Sequence, residues 1–311
     1  MFNIKDNQLF IDGNSAELLA KKYGTPLLVM SRPDIIAKCD EIKRDFLQKY
    51  PHTRAAYAGK AFLTLGMCKI MEEVGFCLDV VSGGELFTAL KAGFPPERIE
   101  FNGNNKGIAE IDSAVFNNVG RIIIDGSDEL ELIEAAAKKY HKRVNVLIRI
   151  SPGVDSHTHQ YITTGQLDSK FGVPLFKESF HAFFKKVLAS PFVKLLGFHF
   201  HVGSQLLENS SHLMAAAVIL DLIKELRQTV DFAPVELNIG GGFGIKYTDE
   251  DKVPPYSYFL DPVMELIYKS FDSMNLPHPA VVIEPGRSIV GEAGTTLYTV
   301  GTIKDIPNIR K

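Results

Sequence analysis

The sequence predicts an α/β fold, a (β/α)8 barrel of the TIM type, with parts of a second, β-rich domain at both ends of the chain. Short apolar runs that are typical of buried strands recur eight times, and helical patterns of apolar residues fill the intervals between them. Eight such units over about 235 residues agree with the strand count and the size of this barrel. A doubly wound sheet is the alternative, but it more often has five or six strands.

The elements that precede the barrel are predicted from local patterns. Residues 2–4 and 9–11 flank a polar turn and predict a small hairpin. A helix is predicted over residues 15–23, and an apolar strand over 27–30. We assign residues 1–30 to an N-terminal segment that associates with the β-rich domain.

The barrel domain is predicted over residues 31–284 and opens with a helix near 34–49, which has a proline in its first turn. Its eight predicted strands cover residues 53–58, 77–81, 99–102, 121–124, 144–150, 193–200, 236–239 and 280–283. Residues 295–306 again have the composition of β structure. Residues 285–311 are therefore predicted to begin a C-terminal β domain that is incomplete in this chain.

Composition limits the classes of protein that this chain can be. Its 311 residues are 45% hydrophobic and 23% charged, enough for a large core. A net charge of −3 gives no reason to expect a nucleic-acid or membrane-surface partner. The sequence predicts neither a signal peptide nor a membrane span. Cys39, Cys68 and Cys77 are odd in number and lack metal-binding spacing, so we expect a reduced, cytoplasmic protein.

The candidate site follows from the fold, because a barrel of this type carries its site where the strands end. The residues of interest at or after the predicted strand ends are Lys60, Asp79, Glu85, Arg149, His199, His201, Ser204, Gly240, Gly241, Gly242, Glu284, Pro285, Gly286 and Arg287. Several ionisable groups and a glycine loop at one rim indicate a binding site.

Lys60 is the central candidate. It follows the strand over 53–58, and strand alternation places it on the face of Ala56 and Ala58, two small residues that leave room for a flat ligand. Burial lowers the pKa of a lysine and makes it a nucleophile toward carbonyl groups. Taken alone, a lysine at a strand end more often reaches solvent.

The glycine loop and Glu284 extend this candidate site. Gly240, Gly241 and Gly242 follow the seventh strand, where barrels often bind phosphate through backbone N–H groups; a flexible turn is the alternative. Glu284 alternates with Val282 and is predicted to point into the barrel. A carboxylate there would keep a pyridine nitrogen protonated. An ion pair between Glu284 and Arg149 is the alternative.

His199 and His201 lie two residues apart and therefore on one face of a strand. Some barrel hydrolases hold zinc with such a pair, but no third His or Cys stands at a strand end, so a metal site is not predicted. We expect one imidazole to lie against a cofactor ring and the other to be packed and hydrogen-bonded.

Lysine, phosphate loop and ring-facing carboxylate together indicate pyridoxal 5'-phosphate bound to a barrel. The order of the motifs resembles that of the diaminopimelate decarboxylases, which belong to the barrel-type (fold type III) pyridoxal-phosphate decarboxylases. The matching stretches are residues 57–61, 79–86, 103–106, 152–155, 168–172, 199–205, 240–244 and 284–290. They extend over nearly the whole chain.

The resemblance implies a role for each candidate residue. Lys60 would carry the cofactor covalently, His201 would stack on its ring, and Glu284 would pair with the ring nitrogen. The phosphate would be held by Ser204, Gly240, Gly241 and Gly242 together with the backbone of Pro285, Gly286 and Arg287. The Arg287 side chain would bind a substrate carboxylate, and Asp79, Glu85 and Arg149 would support the cofactor and Lys60.

The implied reaction converts meso-diaminopimelate to L-lysine and CO2 in a homodimer. Residues 155–172 favour this substrate over those of ornithine, arginine or carboxylated-polyamine decarboxylases, which share the lysine, the glycine loop and the glutamate. A pyridoxal-phosphate-binding barrel without activity and a zinc hydrolase are further alternatives. Relatives continue into a β domain that contributes to the partner subunit's site, and nothing here corresponds to it. We therefore expect this chain to bind the cofactor and to be a poor decarboxylase.

Overall fold

The computed structural model describes residues 2–154 and 169–308. The predicted motif over 155–172 thus lies mostly outside the described residues. The chain begins with a three-stranded antiparallel sheet, a helix and a strand: β1 (Phe2–Lys5), β2 (Gln8–Ile11), β3 (Asn14–Ser15), α1 (Ala16–Tyr23) and β4 (Leu27–Met30). This agrees with the predicted hairpin, helix and strand.

The barrel follows as alternating helices and strands. Its elements in chain order are α2 (Arg32–Ile42), a π-helical turn (Lys43–Leu47), β5 (Thr53–Ala58), α3 (Leu65–Val74), β6 (Cys77–Val80), α4 (Gly83–Lys91), β7 (Ile99–Phe101), α5 (Ile108–Phe116), β8 (Arg121–Ile124), α6 (Asp128–Tyr140), β9 (Val144–Ser151), β10 (Val173–Pro174), α7 (Lys177–Ala189), β11 (Val193–His199), α8 (Ser210–Val230), β12 (Glu236–Asn238), α9 (Tyr256–Ser273) and β13 (Ala280–Ile283). The short α10 (Arg287–Val290) and β14 (Gly294–Leu297) come last.

Eight parallel strands close into a barrel in the order β5, β6, β7, β8, β9, β11, β12 and β13, with β13 pairing back to β5. The two-residue β10 lies beside β9. This confirms the predicted (β/α)8 barrel over the doubly wound alternative. Each predicted strand agrees with the observed one to within one residue at either end. In the described part of the chain, no helix combines the length and the apolar character needed to cross a membrane.

Alternation along the strands divides the buried side chains between two cores. In β6, Leu78 and Val80 join the large core between sheet and helices. Cys77 instead packs with Ala56 of β5 and Val282 of β13 in a small cluster that lies inside the barrel. Ile123, Leu147 and Leu196 form a second small cluster apart from the large core. Polar side chains such as Asp79 and Glu100 are also buried on these strands, and the strands carry others to the site described below.

The N-terminal end of the barrel interior contains a cluster of buried ions. Arg121 contacts Glu100 at 2.6 Å and Glu236 at 3.0 Å, and Arg54 also pairs with Glu236. Glu100 is fully buried, and Glu236 is nearly so. Each carboxylate has a guanidinium partner, as buried charges require.

The β elements at the two ends of the chain lie outside the barrel. β14 pairs antiparallel with β4, from Gly294 opposite Met30 to Leu297 opposite Leu27. The predicted β run over residues 295–306 was too long, because β4 offers only four residues to pair with. Between Leu297 and Asn308, the last described residue, the structure has a single bridge residue at Ile306. The division of the chain at residues 30 and 284 stays a prediction.

We expect Arg121→Met to lower the free energy of unfolding by about 3 kcal/mol or more, because it leaves Glu100 and Glu236 buried with too few partners. Urea unfolding would measure this loss. The control is Arg32→Met, which removes an exposed pair with Glu73 and should change stability little. Equal losses from the two variants would contradict a structural role for the buried cluster.

Candidate active site

Two adjoining cavities lie at the rim where the barrel strands end. The larger has a volume of about 670 Å³ and is lined in part by Asn102 and Arg149. The smaller, of about 430 Å³, is lined in part by Ala58, Ser204, Gly242, Phe243, Gly286 and Arg287. Lys60, His201 and Glu284 line both cavities, so they mark the place where the two meet. The predicted rim site is thus a pair of connected pockets.

Glu284 follows β13 and points inward, as its alternation with Val282 predicts. Its Oε1 atom accepts from Asn238 at 2.8 Å, contacts His199 Nε2 at 3.0 Å and lies 3.5 Å from the amide of Asn102. Burial by itself would raise the pKa of this carboxyl, but the interactions with His199, His201 and Lys60 together outweigh it and lower the pKa to about 2. Burial also lowers the pKa of His199. At neutral pH the pair is therefore a carboxylate beside a neutral imidazole.

Asn238 connects Glu284 to two other parts of the barrel. Its amide group also donates to Glu100 at 2.8 Å, and its carbonyl oxygen accepts from the N–H of Gly240 at 2.9 Å. Sequence analysis missed Asn238, Glu100 and Asn102. The signal was polar residues at alternate positions, Glu100 with Asn102 and Glu236 with Asn238, which a barrel strand turns to one face.

Lys60 reaches the expected place by a different route. β5 ends at Ala58, and Lys60 lies in a one-turn 3-10 helix that follows it. The side chain is exposed, as a lysine at a strand end more often is, and it lines the cavity space beyond the end of the strand. Asp79 on β6 is fully buried nearby, and within the described residues neither of its carboxyl oxygens has a hydrogen-bond partner. Burial raises the pKa of Asp79 well above its usual value, Glu284 adds to this, and the charge of Lys60 opposes it.

The two histidines have different surroundings. His199 is fully buried in the barrel interior, whereas His201 is only partly buried and lines both cavities. His201 Nδ1 accepts from the N–H of Gly241 at 3.2 Å, which leaves the proton of a neutral ring on Nε2. Burial and the charge of Lys60 lower the pKa of His201 to about 3. Over residues 2–154 and 169–308, no group of three or more His, Cys, Asp or Glu side chains could hold a metal ion.

The three glycines after β12 are packed too closely for any other residue. A Cβ atom would overlap the backbone oxygen of Phe200 at Gly240, of Glu284 at Gly241 and of Gly203 at Gly242. The loop is held by hydrogen bonds, with the N–H of Gly240 on Asn238 and that of Gly241 on His201. It is therefore not a free turn. Gly242 lines the smaller cavity together with Ser204.

Arg149 pairs with Asp125 at 3.2 Å, and its guanidinium lies 4.5 Å from the centre of the Phe171 ring. The alternative in which Glu284 pairs with Arg149 was therefore wrong, because Asp125 on the neighbouring strand end is the partner. Asp125 also accepts from the N–H of Gly172 at 3.0 Å. It thus holds both Arg149 and the segment beside it.

Of the remaining candidates, Gly286 and Arg287 line the smaller cavity, whereas Glu85 and Pro285 line neither cavity. Glu85 accepts from the N–H of Val81 at 2.8 Å, and burial raises its pKa. The backbone oxygen of Pro285 accepts from Ala58 at 3.1 Å and so extends the pairing of β13 with β5. Arg287 is exposed and donates to the hydroxyl of Tyr247 at 2.7 Å. Glu85 and Pro285 support the wall, whereas Arg287 faces the smaller cavity.

Comparison with known proteins gives this site a family. The profile described as "Pyridoxal-dependent decarboxylase, pyridoxal binding domain" matches residues 34–291. A diaminopimelate decarboxylase of Bacillus methanolicus is 43% identical over 97% of this chain and 70% of its own length. The chain belongs to the pyridoxal-dependent decarboxylases, in the diaminopimelate decarboxylase family. The Bacillus subtilis (strain 168) enzyme is likewise 43% identical, over 97% of this chain and 69% of its own.

Solved structures of this family have the same fold. Diaminopimelate decarboxylase from M. jannaschii in complex with L-lysine superposes with a TM-score of 0.91 at 34% identity, over 99% of this chain and 71% of that one. Lysine decarboxylase from Selenomonas ruminantium is more distant, with a TM-score of 0.73 and 27% identity over 89% of this chain and 67% of that one. The resemblance to barrel-type pyridoxal-phosphate decarboxylases is therefore confirmed.

We expect His201→Gln to flatten the pH dependence of folding between pH 6.5 and 5. The folded imidazole stays neutral in this range, whereas the unfolded one binds a proton below about pH 6.5. The contribution of His201 to the free energy of unfolding is thus present at high pH and is lost as pH falls, by at most about 1.4 kcal/mol per pH unit. Urea unfolding at several pH values measures the slope.

The control for this experiment is His52→Gln, which changes a histidine on an exposed turn and should leave the slope as it is in the unmodified chain. An unchanged slope in His201→Gln would mean that His201 is protonated in the folded protein as readily as in the unfolded one.

Proposed function

We propose that this chain decarboxylates meso-diaminopimelate to L-lysine and CO2 with pyridoxal 5'-phosphate as cofactor; the low turnover expected from the sequence stays a prediction. The observation that carries this proposal is the meeting of Lys60, His201 and Glu284 between two cavities of suitable size for a cofactor and an amino acid. The relatives named above, which are diaminopimelate decarboxylases, support the choice of substrate.

The residues at the rim fit this cofactor. Glu284 is an ionised acceptor whose Oε1 is held by neighbours, so Oε2 is available to an N–H group in the cavity. The buried carboxyl of Asp79 has no hydrogen-bond partner among the described residues, as expected of a group whose partner arrives when a ligand binds in the site. The residues that would hold the cofactor are Lys60 by a covalent bond, His201 on the ring face, Glu284 at the ring nitrogen, and Ser204, Gly240, Gly241, Gly242, Pro285, Gly286 and Arg287 around the phosphate. When bound, pyridoxal phosphate supplies an electron sink for the pair that departing CO2 leaves behind.

Each residue has a task that its surroundings allow. Glu284 keeps a proton on the ring nitrogen, because an ionised carboxylate in a dry site is a strong acceptor. His199 and Asn238 prevent this carboxylate from turning away. His201 presents a neutral ring and adds no positive charge that would compete for Glu284.

The arginines that line the cavities suggest which residue would bind a substrate carboxylate. Arg149 lines the larger cavity, and Arg287 lines the smaller one with its guanidinium exposed. A planar guanidinium is well suited to a carboxylate. Arg287 binds one substrate carboxylate, and Asp79, Glu85 and Arg149 support the cofactor and Lys60.

Two properties of the whole protein belong to the same proposal. The family resemblance supports a homodimer as the active form. Cys39, Cys68 and Cys77 are buried free thiols, which supports a reducing, cytoplasmic location.

Lys60 should be the lysine that carries the cofactor. Reduction of the cofactor-loaded chain with borohydride, followed by peptide mass analysis, should find the pyridoxyl adduct on Lys60, because its amine is exposed at the junction of the cavities. Lys60→Ala should give no adduct there. Lys106 serves as an internal control, since it is buried and hydrogen-bonded to Gly103 and Ile123. An adduct on Lys106 or on any other lysine would overturn this assignment.

Glu284→Gln should retain the cofactor and lower turnover of meso-diaminopimelate by roughly 100-fold or more, because a neutral amide does not hold the ring proton. CO2 release measures this, with ornithine, arginine and carboxyspermidine as competing substrates for the unmodified chain. Glu73→Gln, at an exposed pair far from the site, is the matched control. Normal turnover by Glu284→Gln would exclude the proposed role, and faster release from ornithine or arginine would exclude the substrate.

A further inference from the structure

His212 on α8 contacts the glycine loop and lines neither of the two cavities. Its Nε2 atom lies 2.9 Å from the backbone oxygen of Gly241. We propose that His212 is a positioning residue that aims the N–H of Gly242 at the cofactor phosphate. This inference rests on the proposed function, because it assumes that the smaller cavity takes the phosphate.

The protonation state of His212 follows from its contacts. The side chain is 1% exposed, and burial lowers its pKa, so the ring is neutral and carries one proton. A carbonyl oxygen can only accept, so that proton is on Nε2 and is donated to Gly241. The hydrogen bond is therefore fixed in direction.

Peptide geometry transfers this constraint to Gly242. In a planar trans peptide the C=O of one residue and the N–H of the next point in opposite directions. Because the oxygen of Gly241 points to α8, the N–H of Gly242 points away from α8, and Gly242 lines the smaller cavity. Within residues 2–154 and 169–308 no hydrogen bond engages this N–H, whereas the oxygen of Gly242 accepts from Leu206 at 2.9 Å.

Packing alone does not account for a histidine at this position. The ring stacks on Phe243 with centroids 5.5 Å apart and planes 5° from parallel, and it meets the edge of Phe259 at 5.9 Å. Nδ1 has no hydrogen-bond partner in the described part of the chain, which costs stability. A phenylalanine would make the same ring contacts without that cost. What it would lack is the donor to Gly241.

The experiment compares the affinity of the cofactor-free chain for pyridoxal 5'-phosphate with its affinity for pyridoxal, which has no phosphate. His212→Phe keeps the ring and removes the donor. His212→Gln keeps a donor near the position of Nε2. Absorbance titrations give the dissociation constants, and thermal unfolding reports whether each variant is folded.

We expect His212→Phe to weaken the binding of pyridoxal 5'-phosphate by about tenfold, which is the effect of one well-placed hydrogen bond. The binding of pyridoxal should weaken by less than about twofold. His212→Gln should stay within about threefold of the unmodified chain for both ligands. Equal weakening of both ligands, or no weakening of either, would overturn the proposal. A second variant without the donor, His212→Met, tests for a role in folding. If His212→Phe and His212→Met both fail to fold while His212→Gln folds, the proposal is also overturned, because the hydrogen bond would then serve folding.

The two proposals can fail separately. If the unmodified chain binds the two ligands equally, the phosphate site of the proposed function is wrong, and the role of His212 falls with it. If the unmodified chain prefers pyridoxal 5'-phosphate and His212→Phe prefers it as strongly, only the role of His212 is wrong.

Discussion

The need to pair buried charge inside the barrel shapes the rest of this site. Glu100 and Glu284 are carboxylates in the barrel interior, and the amide of Asn238 donates one N–H to each. Arg121, at the opposite end of the barrel, pairs with Glu100 and partly offsets its burial, which raises the pKa of that carboxyl to about 7. A buried carboxylate without such partners would protonate or destabilise the fold. The same hydrogen bonds therefore stabilise the barrel and keep Glu284 ionised and oriented.

Asn238 also joins the two halves of the site. Its side-chain carbonyl oxygen accepts a hydrogen bond from the N–H of Gly240, and its side-chain NH2 group donates one to Glu284. The glycine loop and Glu284 are thus placed relative to each other by one side chain. Such fixed spacing would suit the proposed cofactor, which has its phosphate and its ring nitrogen at different ends of one molecule, because positioned groups contribute most when they do not reorganise.

Neutral histidines carry out much of the positioning. Burial lowers the pKa of His199, His201 and His212, so each has one donor and one acceptor nitrogen at neutral pH. The Nδ1 atom of His201 accepts from the N–H of Gly241, and the Nε2 atom of His212 donates to the oxygen of the same residue. Gly241 is therefore held from both sides, and a charged imidazole could not accept as His201 does.

The sequence by itself determined the barrel, the limits of its eight strands to within one residue and most of the side chains at the rim, because apolar periodicity and strand ends are local properties of the chain. Only the tertiary structure decided which of these side chains meet. Asn238 donates a hydrogen bond to Glu100, which lies 138 positions earlier in the sequence. Arg149 pairs with Asp125 and not with Glu284, because the strands that end near Arg149 and Asp125 are neighbours in the barrel. The exposure of Lys60, the early end of β14 and the direction of the Gly242 N–H likewise depend on what space and which partners the folded chain offers. Such contacts are not encoded at any one position.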